Sequence, residues 1–274
     1  MAKRLTVFGG SGALVPHIVA KAREDGYKVQ VLAFAPQPHY RHVRVIRADA
    51  GKPFWIVLWT RLFRTSHIVM AGGITLTERQ REILAGFGGA GRRNGSAPAL
   101  GDAALSGIGK VLKTVTGADL IGVHDLMPEL LAPEGLIAGP AIAPERMTDL
   151  DFALATAREI GRLDIGQAAV TSGRHVIAVE DVAGTDSLIA RVGNYLKDGI
   201  VGNGSAPLVL AKAVKPQQTM AIDLPAVGPD TITNAAASGI RVVVLDAGAV
   251  LLLDRDRIAM LADELGVSVI GRPR

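Results

Sequence analysis

The sequence predicts an α/β protein: an N-terminal Rossmann-like domain on a parallel sheet, joined to a second α/β domain with a mixed sheet. Apolar runs of strand length alternate with helical spacings along most of the chain, the pattern that crossover helices on a parallel sheet produce. A glycine turn, Gly9-Gly10-Ser11-Gly12, separates the first apolar run from the first helix. Near mid-chain Pro133, Gly135, Gly139, Pro140 and Pro144 interrupt the pattern, as a domain boundary does. The domains are read as 1–135 and 148–274, with 136–147 as the linker.

The elements follow in order. Residues 5–8 form the first strand, and 14–25 carry Ile18, Val19 and Ala22 at helical spacing until Gly26 ends the helix. Residues 29–34 are a second strand and 68–71 a third, the latter again followed by glycines, Gly72-Gly73. The segment 86–101 is glycine-rich and reads as a loop. In the second half, Thr148 or Asp149 caps a helix with Leu150, Ala153, Leu154, Ala157 and Ile160 on one face. Residues 167–171 and 175–179, joined by Ser172-Gly173-Arg174, read as a hairpin. A helix over 186–196, a strand over 208–214, a short helix over 229–237, strands over 242–245 and 250–253, and a last helix and strand complete the series.

Composition removes several function classes. The absence of cysteine excludes disulfides, thiolate catalysis and cysteine-held metal. The hydrophobic share of 49% and charged share of 20% are those of a globular protein. A formal net charge of +4 suits nucleotides, phosphates or an acidic membrane surface. The Lys and Arg residues are scattered rather than striped, so no nucleic-acid partner is expected. The N-terminal stretch lacks a signal-peptide pattern, and no run of about 18 apolar residues occurs. A cytoplasmic, non-spanning protein is expected, and a symmetric homodimer on the commonness of twofold assemblies.

Taken singly, the candidate sites are ambiguous. Glycines at Gly9, Gly10 and Gly12 around Ser11 let the backbone approach a phosphate, with helix N–H groups behind them. The dinucleotide fingerprint would also place glycine at Val15 and an acid at the end of strand two, where the chain reads Ala33-Phe34-Ala35-Pro36. An anion or sugar-nucleotide site is therefore favoured over NAD. His124-Asp125 lacks the partners of a binuclear metal centre and reads as a strand end with a turn, and His39 and His42 read as an exposed loop. Gly184-Thr185-Asp186 opens a helix, by capping or by contacting a phosphate. Lys212 and Lys215 flank a strand end and must share an anion or point apart. Asp223 sits between apolar neighbours in Ile222-Asp223-Leu224-Pro225, so its carboxylate needs a metal, a lysine or backbone amides.

In sequence, these segments resemble a known family. The run 157–167 (AREIGRLDIGQ), Ala178-Val179-Glu180, Gly184-Thr185-Asp186, the run 210–216 (LAKAVKP) and the run 223–231 (DLPAVGPDT) are similar to the UDP-2,3-diacylglucosamine pyrophosphatases of the LpxI type. The similarity is specific over 147–240 and looser at Gly101-Asp102 and His124-Asp125-Leu126. It implies two α/β domains and Mg²⁺-dependent attack of water on the α-phosphorus of an acylated sugar nucleotide, releasing UMP and 2,3-diacylglucosamine 1-phosphate for lipid A synthesis. It also implies that Asp223 and Lys212 are catalytic and that Thr185, Asp186 and Lys215 line the substrate. Asp223 and Asp102 are the carboxylates it offers to the metal, with Ala103 standing where family members carry a second acid. The glycine turn at Gly9, Gly10, Ser11 and Gly12 is read as the nucleotide cradle.

Two rival functions are weighed beside it: a non-catalytic lipid- or nucleotide-binding homologue and an NAD(P)-dependent oxidoreductase. The segment Phe54-Trp55-Ile56-Val57-Leu58-Trp59, with Arg61 and Arg64, has two readings. One is peripheral contact with the cytoplasmic face of the inner membrane. The other, favoured because large apolar residues go inside, is a buried helix face.

Overall fold

The computed structural model describes residues 3–274 except 13, 75, 88–110, 203, 205 and 217–223. Asp102, Asp223 and most of the glycine-rich loop lie outside the described residues. The chain divides into two compact units, one ending at Glu129 and one formed by Leu130–Pro216 with Leu224–Arg274.

The first unit runs β1 (Arg4–Gly9), α1 (Leu14–Glu24), β2 (Lys28–Ala33), β3 (Arg44–Arg47), α2 (Pro53–Leu62), β4 (His67–Ala71), α3 (Glu78–Phe87), β5 (Asp119–Leu120) and α4 (Val123–Leu126). Its strands pair in the order β3-β2-β1-β4-β5, all parallel. This is the Rossmann-like order that the βαβ reading implies. Strands β3 and β5 escape sequence reading because β3 is Arg-Val-Ile-Arg at the sheet edge and β5 is two residues long. His124-Asp125 falls on the short turn α4, where Asp125 accepts the Gly122 amide at 2.7 Å.

Helix α2 is tied to this sheet by buried polar groups. Gln30 on β2 donates to Thr6 Oγ1 at 3.0 Å and to the Trp59 carbonyl at 3.3 Å. The Thr6 and Thr65 hydroxyls meet at 2.6 Å, and Thr65 donates to the Thr60 carbonyl at 2.8 Å. Ile56 and Thr60 are the buried residues of this helix. Phe54, Trp55 and Leu62 are 66%, 52% and 63% exposed, so the favoured reading of 54–59 as a buried face holds at Ile56, with Val57 and Trp59 packed against the same core, and fails at Phe54 and Trp55. At one hundred degrees per residue, Ile56 and Thr60 lie opposite Phe54, Trp55, Leu58 and Leu62. The Ile56–Thr60 side meets the sheet, flanked by Val57 and Trp59.

The second unit runs β6 (Gly135–Ala138), α5 (Met147–Arg162), β7 (Ala168–Ser172), β8 (His175–Val179), α6 (Gly184–Lys197), β9 (Leu208–Lys212), β10 (Ala226–Val227), α7 (Pro229–Ala237), β11 (Ile240–Asp246), β12 (Leu251–Leu252), α8 (Arg255–Leu265) and β13 (Ser268–Arg272). Six strands form one sheet in the order β6-β13-β11-β9-β7-β8. Strands β9, β11 and β13 are parallel, while β6, β7 and β8 each run antiparallel to a neighbour. The sheet is mixed, as expected. Residues 136–138, within the stretch read as linker, belong to β6 at its edge. Strands β10 and β12 pair separately and in parallel.

Alternation along β9 and β11 builds both faces. Leu208, Leu210, Val243 and Leu245 enter one core with Leu188, Ile189, Val192, Ile232 and Ile258 from α6, α7 and α8. Val209, Ala211, Val242 and Val244 enter the other, against Leu150, Ala153, Leu154, Ala157 and Ile160 of α5. The stripe read on that helix is therefore its buried face. Its start differs from expectation: α5 begins at Met147 after the 3-10 turn Pro144–Arg146, so Asp149 lies inside the first turn and pairs with Arg146 at 3.3 Å.

Candidate active site

Period-two geometry continues past the apolar part of β9 and β11 and decides where their polar ends point. Lys212 shares the parity of Leu208 and Leu210, so it emerges on the face covered by α6. Asp246 shares the parity of Val242 and Val244, so it emerges on the face covered by α5. Both stand at the carboxyl end of parallel strands, the edge at which α/β sheets bind ligands.

On the first face, Lys212 is 7% exposed and Glu180, just beyond β8, is 6% exposed. Lys212 Nζ donates to Thr185 Oγ1 at 3.0 Å, and the Thr185 hydroxyl donates onward to Glu180 Oε1 at 3.0 Å. The second carboxylate oxygen accepts the Gln167 amide at 2.9 Å. A carboxylate only accepts and an ammonium only donates, so the hydroxyl proton between them has one direction. Burying two opposite charges is tolerable when each is hydrogen-bonded in this way. Gly166 makes the approach possible, since a Cβ there would sit 2.7 Å from the Glu180 carbonyl oxygen.

Thr185 is in position because α6 starts at Gly184. Asp181 fastens that start: its Oδ1 accepts the Ala183 amide and its Oδ2 the Arg191 guanidinium, each at 2.8 Å. Those two donors, the amide first, hold its carboxyl below the usual carboxylate range. The Gly184 amide donates to the Asp181 carbonyl at 3.0 Å, and the positive end of the α6 dipole lies beside a buried ammonium, a combination that favours anions. Asp186 is exposed in that first turn.

On the second face, Asp246 is fully buried. Its Oδ1 accepts Arg158 Nε at 3.0 Å and Nη2 at 2.6 Å, and its Oδ2 accepts the Val214 amide at 3.2 Å. Lys215 turns away from Lys212 and donates to Asp164 at 2.9 Å. The two lysines therefore point apart, one of the alternatives the sequence left open. Glu180, Arg158 and Asp246 were not singled out as site residues. The available signal was an acid directly after an apolar strand, at Glu180 and again at Asp246.

The glycine turn of the first unit is engaged in a different way. Gly10 N donates to the Ala71 carbonyl at 2.8 Å, and Ser11 exchanges main-chain bonds with Gly73 at 2.9 and 3.0 Å. A Cβ on Gly10 would stand 2.5 Å from the Gly73 carbonyl oxygen. The glycines thus serve close passage of two loops, and the Gly10 and Ser11 amides are already used. Gly12, at φ +103°, is the member of the turn in the left-handed region.

Among the described residues no group of three or more His, Asp or Glu is gathered as a metal cage. Both oxygens of Glu180 and of Asp246 are taken by protein donors. Both carboxylates are thus engaged within the protein, and a cation at this edge would need other carboxylates and substrate oxygens.

Fold and site together define an α/β protein whose mixed sheet presents a buried cation and a helix N-terminus at its carboxyl edge. Residues 133–270, which contain all of that site, match the LpxI C-terminal domain, and the chain belongs to the LpxI family. The UDP-2,3-diacylglucosamine pyrophosphatase LpxI of Caulobacter vibrioides is 45% identical over 156 residues, 57% of this chain and 55% of that protein. The chain thus spans about half the length of that curated relative. Among solved structures, the Thermus thermophilus UDP-glucose 4-epimerase complex with NAD aligns over 98% of this chain and 86% of its own at 14% identity and a TM-score of 0.33. The Bordetella bronchiseptica enzyme WbmG with NAD aligns over 33% and 35% at 15% identity and a TM-score of 0.26. Likeness this slight adds nothing to the assignment.

Proposed function

We propose that this chain hydrolyses the pyrophosphate of UDP-2,3-diacylglucosamine, giving UMP and 2,3-diacylglucosamine 1-phosphate in lipid A biosynthesis. The supporting observation is that the buried Lys212–Thr185–Glu180 chain lies inside the segment that matches the family. A pyrophosphate accumulates negative charge on its bridging and equatorial oxygens as it is cleaved. A fixed ammonium beside a helix N-terminus stabilises that charge without reorganising. Glu180 keeps the Thr185 hydroxyl aimed, and the hydroxyl keeps the ammonium from swinging away.

In this reading water adds its oxygen to the α-phosphorus, and the bond from that phosphorus to the bridging oxygen breaks. The sugar 1-phosphate leaves with that oxygen, and the water's proton passes to Asp223 or to solvent. Asp223, with Asp102 as the lesser candidate, would hold Mg²⁺ with substrate oxygens. The cation would supply charge neutralisation and polarise phosphorus. Thr185 and Asp186 border the phosphates through the first turn of α6.

The test is turnover of UDP-2,3-diacylglucosamine in ¹⁸O-water, with Mg²⁺ and with chelator, by wild type and Asp223→Asn. Metal-dependent UMP release with ¹⁸O in UMP is expected, and it should be lost in the variant. Label in the sugar 1-phosphate would move the attack to the other phosphorus. Near wild-type turnover by Asp223→Asn would remove that residue from the mechanism, and no turnover by folded wild type would overturn the reaction.

A further inference from the structure

Helix α2 turns a hydrophobic face outward. Phe54, Trp55 and Leu62 are each more than half exposed, and Leu58 lies on the same side of the helix. Phe54 and Trp55 meet edge to face at 5.9 Å, making one contiguous aromatic surface. The inner side is fixed by Ile56, Thr60 and the Gln30 bond to the Trp59 carbonyl, so rotation of the helix cannot hide these residues. A contiguous exposed apolar patch of this kind marks an interaction surface.

The surroundings of the patch are basic. Lys52, Arg61 and Arg64 are exposed on and beside the helix, and Arg44 and Arg47 are exposed on the neighbouring edge strand β3. Arg44 lies 4.6 Å from the Trp59 ring centroid. None of these five cations is in a salt bridge among the described residues. The helix itself carries no acid. Beside it opens a cleft of about 630 Å³ whose lining includes Arg47, Lys52, Trp55 and Trp59. Aromatic and leucine side chains that enter the acyl boundary, rimmed by cations that reach phosphate headgroups, are the composition of a helix lying in a membrane interface. No helix among the described residues is long and apolar enough to cross a membrane.

We propose that the outward face of α2, Phe54, Trp55, Leu58 and Leu62 with Lys52, Arg61 and Arg64, docks the protein on an anionic phospholipid bilayer. Charge complementarity selects this occupant: exposed Asp49 lies near Lys52 and Arg47, but the five cations outnumber it, and a second copy would bring the same excess of cations against itself. The proposal does not depend on the reaction assigned above.

The experiment uses the full chain with Trp59→Phe, which leaves Trp55 as the sole tryptophan. Vesicles of phosphatidylcholine containing phosphatidylglycerol should blue-shift Trp55 emission and expose it to quenching by brominated acyl chains, while pure phosphatidylcholine vesicles should do so weakly. Added salt should reverse the effect. Replacing Arg61 and Arg64 by Ala should weaken binding on the order of thirty-fold, from the usual contribution of a cation at an anionic surface. Phe54→Ser with Trp55→Ser should abolish co-sedimentation while circular dichroism stays unchanged. Unchanged Trp55 emission with anionic vesicles, or co-sedimentation that survives the double serine variant, would overturn the proposal. A blue shift that grows with protein concentration in the absence of vesicles would overturn it in favour of a second copy.

Discussion

Replacing Thr185 by Val isolates the hydroxyl that links two buried charges. Valine keeps the branched shape and removes one acceptor and one donor. Lys212 then loses its 3.0 Å bond to that oxygen and Glu180 the 3.0 Å bond to its Oε1. A hydrogen bond to a charged group contributes about 1.5–3 kcal/mol. Glu180 keeps its Gln167 amide and Lys212 keeps other interactions, so the lower end applies to each and the expected loss is about 3 kcal/mol. With a typical urea slope of roughly 2 kcal/mol per molar, the midpoint falls by about 1.5 M. Thr185→Ser restores the hydroxyl and should cost well under half as much. The assay is urea unfolding by far-UV circular dichroism. Tryptophan fluorescence is followed in parallel, because Trp55 and Trp59 both belong to the first unit and report it separately. Equal midpoints for the Val and Ser variants would refute the linked-charge reasoning. Turnover should fall in Thr185→Val and recover in Thr185→Ser, since the ammonium is aimed through the hydroxyl.

Two further outcomes follow. Arg158→Ala leaves the buried Asp246 carboxylate without its guanidinium partner and with the Val214 amide still donating to it; the expected cost is about 3 kcal/mol, or roughly 10 °C in the melting temperature of a unit of this size, and an unshifted melt would show the pair to be expendable. Asp181 has its folded pKa lowered from 3.8 by the Ala183 amide and then by Arg191. Its stabilisation is present above the ordinary carboxylate pKa and is lost as pH falls through the lower folded value. Asp181→Asn should therefore lower the neutral plateau of the stability–pH curve and flatten its acid limb, so that the two curves converge at low pH, and a variant curve parallel to wild type through pH 3–4 would contradict this assignment.

What the sequence revealed was the periodic part of the molecule. The stripe Leu150, Ala153, Leu154, Ala157, Ile160 is the buried face of α5, and the hairpin at 168–179 pairs as read. The helix at Pro229–Ala237 keeps its predicted bounds, because proline at its first position and glycine before it leave little choice. Strand β3 was illegible because an arginine at each end hides a two-residue apolar centre. The outward face of α2 was misjudged because hydrophobicity alone does not say which side of a helix meets the sheet. Buried Thr60 and Gln30 make that decision, and both are polar. At the site, Lys212 and Thr185 were named from resemblance, but their direct bond, continued from the hydroxyl to Glu180, was not, and nothing in a linear reading pairs residues 27 positions apart.

The two buried charge systems of the second unit do different work on the same piece of chain. Lys212 ends β9, and main-chain bonds continue one residue further, from Ala213 N to the Gln167 carbonyl at 2.9 Å. Asp246 then takes the Val214 amide from the opposite face of the sheet, and Lys215 is held by Asp164. Each residue from 212 to 215 is thus fixed by a different partner: Thr185 on α6, Gln167 just before β7, Asp246 at the end of β11, and Asp164 just after α5. The chain re-emerges at Leu224, which is buried, and the Pro225 carbonyl accepts the Leu251 amide at 2.8 Å. The described residues on either side of 217–223 are therefore anchored within the second unit. Arg158 fits this scheme because it neutralises the carboxylate that holds Val214, on the face away from Lys212. The Arg158 guanidinium thus fixes the strand end from the α5 side, while the ammonium of Lys212 lies on the α6 side.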